Sequence, residues 1–206
     1  MSFDKNIFIN CPFDQVYRDT LLKPILYILI KNGFFPRISS EISDSGQLRL
    51  EKITAIIKSC RYSIHDLSIS KSSRAGEFAR MNMPFELGID YGLRNSGLAR
   101  FRQKQFLILE AVKYDYLKCL SDISGFDIKD HNNETQSVFD CLYGWLSETL
   151  KIYKQDPPRK TFHDFLDFNR KLFDEKLQVF KSEELARDYI EKISIPEYIH
   201  EIRDRC

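Results

Sequence analysis

Cys60-Arg61-Tyr62-Ser63-Ile64-His65-Asp66-Leu67 decides how the rest of the chain is read. It reads as a short buried strand whose polar end falls at His65-Asp66, where an open α/β sheet would present it to a ligand. Upstream, Gln47 to Ser59 carries Leu50, Ile53, Ile56 and Ile57 as an apolar stripe opposite Arg49, Lys52 and Lys58, the pattern of a helix covering one sheet face. Ser43-Asp44-Ser45-Gly46 makes a turn before it. Phe34 to Ser39 is a second strand, which Pro36 places at a sheet edge. Asp14 caps a preceding helix through Val16, Tyr17, Leu21, Ile25, Ile28 and Leu29, with a kink expected at Pro24 and an end at Asn32-Gly33. The first strand is Asn6 to Cys11 (NIFINC), closed by Pro12.

Downstream, Ser68 to Asn82 is rich in Ser, Arg and Lys without sustained periodicity and reads as a binding loop. It leads to Met83-Pro84-Phe85-Glu86-Leu87-Gly88, which opens a helix through Phe85, Leu87, Ile89, Tyr91 and Leu93 to about Asn95. Lys104 to Ala111 is a fourth, buried strand, and Phe126 to Ile128 a brief fifth. A helix from Glu134 to Tyr153 is ended by Gln155-Asp156-Pro157-Pro158. This order predicts an α/β fold with a flavodoxin-like, parallel five-stranded sheet and right-handed crossovers. The expected division is an α/β domain over 1–155 and a C-terminal helical extension over 159–206 that packs on the core or makes a homo-oligomer.

The chain has 206 residues, 43% of them hydrophobic, and a formal net charge of +1, so no charge excess points to nucleic acid or a membrane surface as partner. Cys11, Cys60, Cys119, Cys141 and Cys206 show neither a paired framework nor a zinc spacing, which fits a reducing cytoplasm. No apolar run approaches the roughly 20 residues of a membrane helix, and no basic leader with an apolar core begins the chain. A Walker loop, a GxGxxG turn and a GxSxG elbow are all absent, which disfavours ATPase, dinucleotide oxidoreductase and serine hydrolase chemistry. Asp122, Asp127, Asp130 and His131 match no specific metal-ligand spacing, so neither a metal nor a bound cofactor is expected.

The strand-end rule gathers Asn10, Cys11, Pro12, Phe13, the Asp44 turn, His65, Asp66 and the entrance of the Glu86 helix, with Asn82 and Met83, on one edge. At a helix N-terminus Glu86 is expected to be ionised by the local positive potential. A carboxylate there can attack, or stabilise, the positive ribosyl carbon that develops when an N-glycosidic bond breaks, and it can equally well only offset the helix dipole. Asp66 can bind ribose hydroxyls or cap a turn. Asn10 can donate to a sugar or phosphate, Arg49 can meet a phosphate, and Phe13 or Tyr62 can flank a base. His65 reads as a packed histidine, and Cys11 lacks a histidine partner.

Three segments taken together, IFINCPFD, CRYSIHDLS and MPFELGIDYGL, resemble the nucleoside 2-deoxyribosyltransferase-like group and the related bacterial Toll/interleukin-1 receptor (TIR)-like domains. The resemblance spans residues 6 to 111. It implies that Glu86 in FELG is the nucleophile, Asp66 the acid at a strand end, and Asn10 to Phe13 the first-strand loop. It further implies cleavage of the N-glycosidic bond of NAD, a nucleoside or a nucleotide, with NAD a substrate rather than a cofactor. A role as an antiphage defence effector with a defence-system partner protein goes with it. The alternative is a nucleotide-sensing or TIR-like interaction module that binds without cleaving.

Overall fold

The computed structural model describes residues 2–41, 44–68 and 81–205, so most of the loop expected at 68–82, and Ser43 of the expected turn, lie outside the described residues. Strands β1 (Asn6–Asn10), β2 (Phe35–Ile38), β3 (Tyr62–Asp66), β4 (Gln105–Glu110) and β5 (Lys129–Asp130) form one sheet in the order β2-β1-β3-β4-β5. Every pairing is parallel, and the fold is flavodoxin-like. All five residues of β1 and of β3 are buried, as central strands covered on both faces require. Pro36 is tolerated because β2 is an edge strand paired with β1 alone.

The fifth strand is Lys129–Asp130, not Phe126 to Ile128. Phe126 and Ile128 instead pack beside Leu87, Ile108 and Tyr116, so their apolar character serves a small separate core rather than a ladder.

Asp14 caps helix α1 (Gln15–Tyr17) by accepting the Tyr17 N–H at 2.9 Å. Helix α2 (Lys23–Lys31) follows directly on a π-helical turn at Arg18–Leu22, so Pro24 falls in the first turn of α2 rather than in the middle of a longer helix. Proline cannot donate to the carbonyl four residues before it, that of Thr20. The Thr135 hydroxyl supplies the missing donor at 2.8 Å.

Helices α3 (Arg49–Lys58) and α4 (Asn82–Arg94) cover one face of the sheet, where Ile53, Ile56 and Ile57 meet Phe8 and Cys60. The other face carries α2 and α5 (Thr135–Glu148). Six consecutive residues of α2, Ile25 to Ile30, are buried, so the helix is apolar all round and needs cover on its outer side too. The C-terminal helices α6 (Pro158–Phe180), α7 (Glu183–Lys192) and α8 (Ile195–Arg203) provide that layer. Tyr27 stacks at 5.5 Å from both Phe165 and Phe168, and Phe168 lies 5.8 Å from Tyr198. These side chains belong to the same core as Ile7, Ile9 and Ile64 of the sheet. At roughly 1.5–3 kcal/mol per large apolar side chain, the layer is a major source of stability. Among the described residues no helix is long and apolar enough to cross a membrane.

Candidate active site at the carboxyl edge of the sheet

The chain leaves β1 toward the α2 face and leaves β3 toward the α4 face, which makes the ends of these neighbouring strands the switch point where open α/β sheets commonly bind ligands. Asn10 and His65 are register partners there. The Asn10 amide nitrogen donates to the Met83 carbonyl at 2.8 Å and lies 3.0 Å from His65 Nδ1. A carbonyl only accepts, so the amide orientation is set, and its second hydrogen points at Nδ1. The ring hydrogen of His65 is thereby placed on Nε2, 3.2 Å from Asp90 Oδ2.

Buried positions on α4 are Met83, Glu86, Leu87 and Asp90, the i, i+3, i+4, i+7 stripe of a helix against a sheet. Phe85 and Tyr91, read from the sequence as part of the apolar face, are exposed instead. Two carboxylates thus sit on the packed face. Glu86 is only 6% exposed, and burial pushes its carboxyl up to about 7 against the opposing pull of the Arg49 charge. Among the described residues no hydrogen bond contributes to that balance. Glu86 is the fifth residue of α4, beyond the first turn where the dipole acts, so the expected pull of the helix end toward the ionised form is weak there and desolvation outweighs it.

One turn further on, Asp90 is the centre of a closed buried network. Its Oδ2 accepts from the Ser63 hydroxyl and from His65 Nε2. Lys104 Nζ stands 3.0 Å from Oδ1, a charge contact not aligned as a hydrogen bond, and donates to the Ile57 and Cys60 carbonyls at 3.0 and 2.5 Å. Burial alone would raise the Asp90 carboxyl, yet His65, Lys104 and Ser63 together hold it below the usual range. Lys104 also closes the C-terminal end of α3, where unpaired carbonyls favour a cation.

Asp66 has no exposed surface. Its Oδ2 accepts from the Tyr17 hydroxyl at 2.5 Å and from His131 Nε2 at 3.0 Å, and its Oδ1 from the Ser68 N–H at 2.8 Å and the Ser68 hydroxyl. Burial again pushes the carboxyl up, but His131, Ser68 and Tyr17 outweigh it and the carboxyl is lowered. The Asn133 N–H donates to His131 Nδ1 at 3.0 Å, which leaves the ring hydrogen on Nε2 facing Asp66. Ser68 Oγ is also 3.0 Å from that same nitrogen. A Ser-His-Asp relay uses the two ring nitrogens for its two partners, so this cluster is not one. A ribose hydroxyl reaching Asp66 would have to displace Tyr17 or Ser68, and the arrangement suits holding the β3 end in place.

Cys11 is buried, and desolvation followed by the Asp66, Glu86 and Asp14 charges drives its thiol well above the normal value. It therefore lies in the field of both site carboxylates while being unfit as a nucleophile. Pro12 is buried beside it, whereas Phe13 is 45% exposed at the rim. Arg49 and Asn82 are exposed at the first positions of α3 and α4, and of the two only Arg49 acts on the Glu86 carboxyl. Asp44 is exposed and its Oδ1 accepts the Gly46 N–H at 2.9 Å, a local turn. Tyr62 opens β3 at the far end of the strand, edge-on to Phe34 and Trp145, and cannot flank a base at the Glu86 end. A groove of about 710 Å³ lies between the C-terminal ends of α4 and α5 and is not lined by Glu86.

Sequence reasoning did not single out Tyr17 for this site, nor Ser63, Ser68, Asp90 or Lys104, and it weighed His131 only as a metal ligand. Asp90 was findable, since it stands four residues after Glu86 and so on the same helix face. Compared with known proteins, the chain matches no family model and no curated relative.

Proposed function

We propose that the chain cleaves the N-glycosidic bond of NAD, a nucleoside or a nucleotide, with Glu86 as the reacting carboxylate. The observation that carries this reading is a nearly buried acid at the strand switch, its carboxyl pushed up to about 7 by burial and, among the described residues, not engaged by a hydrogen bond. Such a group is more basic, hence more nucleophilic, than an ordinary glutamate, and no described side chain occupies its lone pairs. Its carboxylate oxygen bonds to the anomeric carbon as the carbon–nitrogen bond breaks and the bonding pair leaves with the base. Water then opens the glycosyl ester, releasing the sugar and returning the carboxylate. Asp90, His65 and Asn10 act by fixing α4, and Asp66 by fixing the end of β3. Arg49 is placed to favour the ionised form of Glu86 and to meet a substrate phosphate.

The test is incubation of the purified chain with NAD and a panel of nucleosides and nucleotides, followed by chromatography for free base. Base release from one class names the substrate; no release from any of them contradicts the reading. A second reading, a module that binds without cleaving, draws support from apolar side chains exposed on segments around the same edge. Phe13, Val16, Leu48, Met81 and Phe85 are each at least 45% exposed. It differs in outcome, since ligand would raise the melting temperature with no base released.

A further inference from the structure

At the opposite end of the sheet, about 13 Å along β1 from Asn10, a cavity of about 600 Å³ opens beside the first residues of β1 and β2. Arg37, Arg100 and Arg203 line it together with Glu41. Arg37 is forked onto Glu41, Nε at 3.0 and 2.9 Å and Nη2 at 2.5 Å, so these two charges cancel. Arg100 and Arg203 remain. Each lies over an aromatic face, Arg100 at 4.5 Å from the Phe3 ring and Arg203 at 5.2 Å from that of Phe35, and among the described residues neither has a carboxylate partner. Stacking holds both guanidiniums in place while leaving their N–H edges free.

The cavity is also lined by Asn6, 2% exposed. Its amide nitrogen donates to the Ser59 carbonyl at 2.9 Å, which fixes the orientation and leaves Oδ1 buried with no donor among the described residues. A buried acceptor without a partner is uncommon in a folded protein and calls for an O–H or N–H from outside. Pro36, Pro196 and Ile199 give the cavity an apolar wall.

We infer that this cavity is a second binding site, for a small phosphate ester. Two uncancelled guanidiniums suit a dianion, the orphaned Asn6 oxygen suits a hydroxyl or amino group on the ester's organic part, and the wall suits that part's apolar face. Inorganic phosphate would satisfy only the first of these. Because Pro196, Ile199 and Arg203 belong to α8 while Asn6 and Pro36 belong to the sheet, the bound ester ties the last helix to the core. The second site shares no residue with the Glu86 site, so it stands whether or not the latter is catalytic.

The experiment is calorimetric titration of the full chain with AMP, inorganic phosphate and adenosine as probes, repeated on Arg100→Ala, Arg203→Ala and the double variant. Both side chains are exposed, so neither change threatens the fold. AMP is expected to bind more tightly than either fragment, and each single substitution to weaken it about tenfold. The double variant should lose one AMP per chain, even if the Glu86 site binds another. Absence of AMP binding, an unchanged stoichiometry in the double variant, or inorganic phosphate binding as tightly as AMP would each overturn the inference.

Discussion

The Asn10 side chain donates to the Met83 carbonyl at 2.8 Å and so ties the end of β1 to the first turn of the helix that carries Glu86. The same amide faces His65 Nδ1 at 3.0 Å. Replacing Asn10 by Ala leaves a buried ring nitrogen without its donor and removes the bridge to the Met83 carbonyl, at a cost of about 1–3 kcal/mol. Urea unfolding of Asn10→Ala checks this; a loss within experimental error of zero would mean that the bridge does not hold α4.

Lys104 and Asp90 form a pair with no exposed side-chain surface on either partner. Removing one partner strands the other charge, so Lys104→Met is expected to destabilise by about 3–5 kcal/mol. The Asp90 carboxyl would also move up once Lys104 no longer opposes desolvation, so the stability that its ionisation contributes near neutral pH, and loses on acidification, should shrink. A double-mutant cycle with Asp90→Leu measures the coupling, and additive effects would refute it.

Glu86 makes a prediction about stability that is opposite in sign to its importance. Its carboxyl moves from 4.5 to about 7 on folding, so the unfolded chain loses the proton first. Below about 4.5 both states are protonated and there is no penalty. Between about 4.5 and about 7 the native state is progressively weakened, and above about 7 the full cost, on the order of 3 kcal/mol, is present. Glu86→Gln removes that cost. The variant should be more stable than the parent at pH 8 and nearly equal to it at pH 4, as read from thermal melts at both pH values. A variant less stable than the parent at pH 8 would show that Glu86 is held ionised by contacts the account omits.

Phe168 tests the outer layer. It is 7% exposed, between Tyr27 of α2 and Tyr198 of α8. Phe168→Ala should cost about 3–5 kcal/mol, and truncation after Pro157 should bare the outer face of α2 and give an aggregating chain. A truncated chain that stays monomeric with a cooperative melt would make the C-terminal helices dispensable.

The sheet was legible where local sequence and long-range packing agree. NIFINC and CRYSIHDL are apolar because β1 and β3 are covered on both faces, and Pro36 identified β2 as an edge because a missing N–H is harmless there. The fifth strand was misplaced because Lys129–Asp130 is a strand only through its neighbours Leu109 and Glu110, with no pattern of its own. The grouping of Glu86, Asn10 and Asp66 at one sheet edge, where the candidate site is proposed, was legible because strand ends and helix starts leave marks. Its partners were not. Lys104 meets Asp90, and His131 meets Asp66, only after the chain has crossed the sheet, and sequence spacing carries no trace of those distances. The raised Glu86 carboxyl was not legible for a related reason: helix position is written in the sequence, whereas the burial that opposes ionisation comes from packing.

The most direct test of the account is the rate of base release by the parent chain and by Glu86→Gln, on the substrate the panel identifies, from pH 5 to pH 9. The parent rate should rise with pH to a plateau above about 7, as the carboxylate forms. The variant should be slower by about a thousandfold or more at every pH. Base release that survives in Glu86→Gln at the parent rate would contradict the central claim.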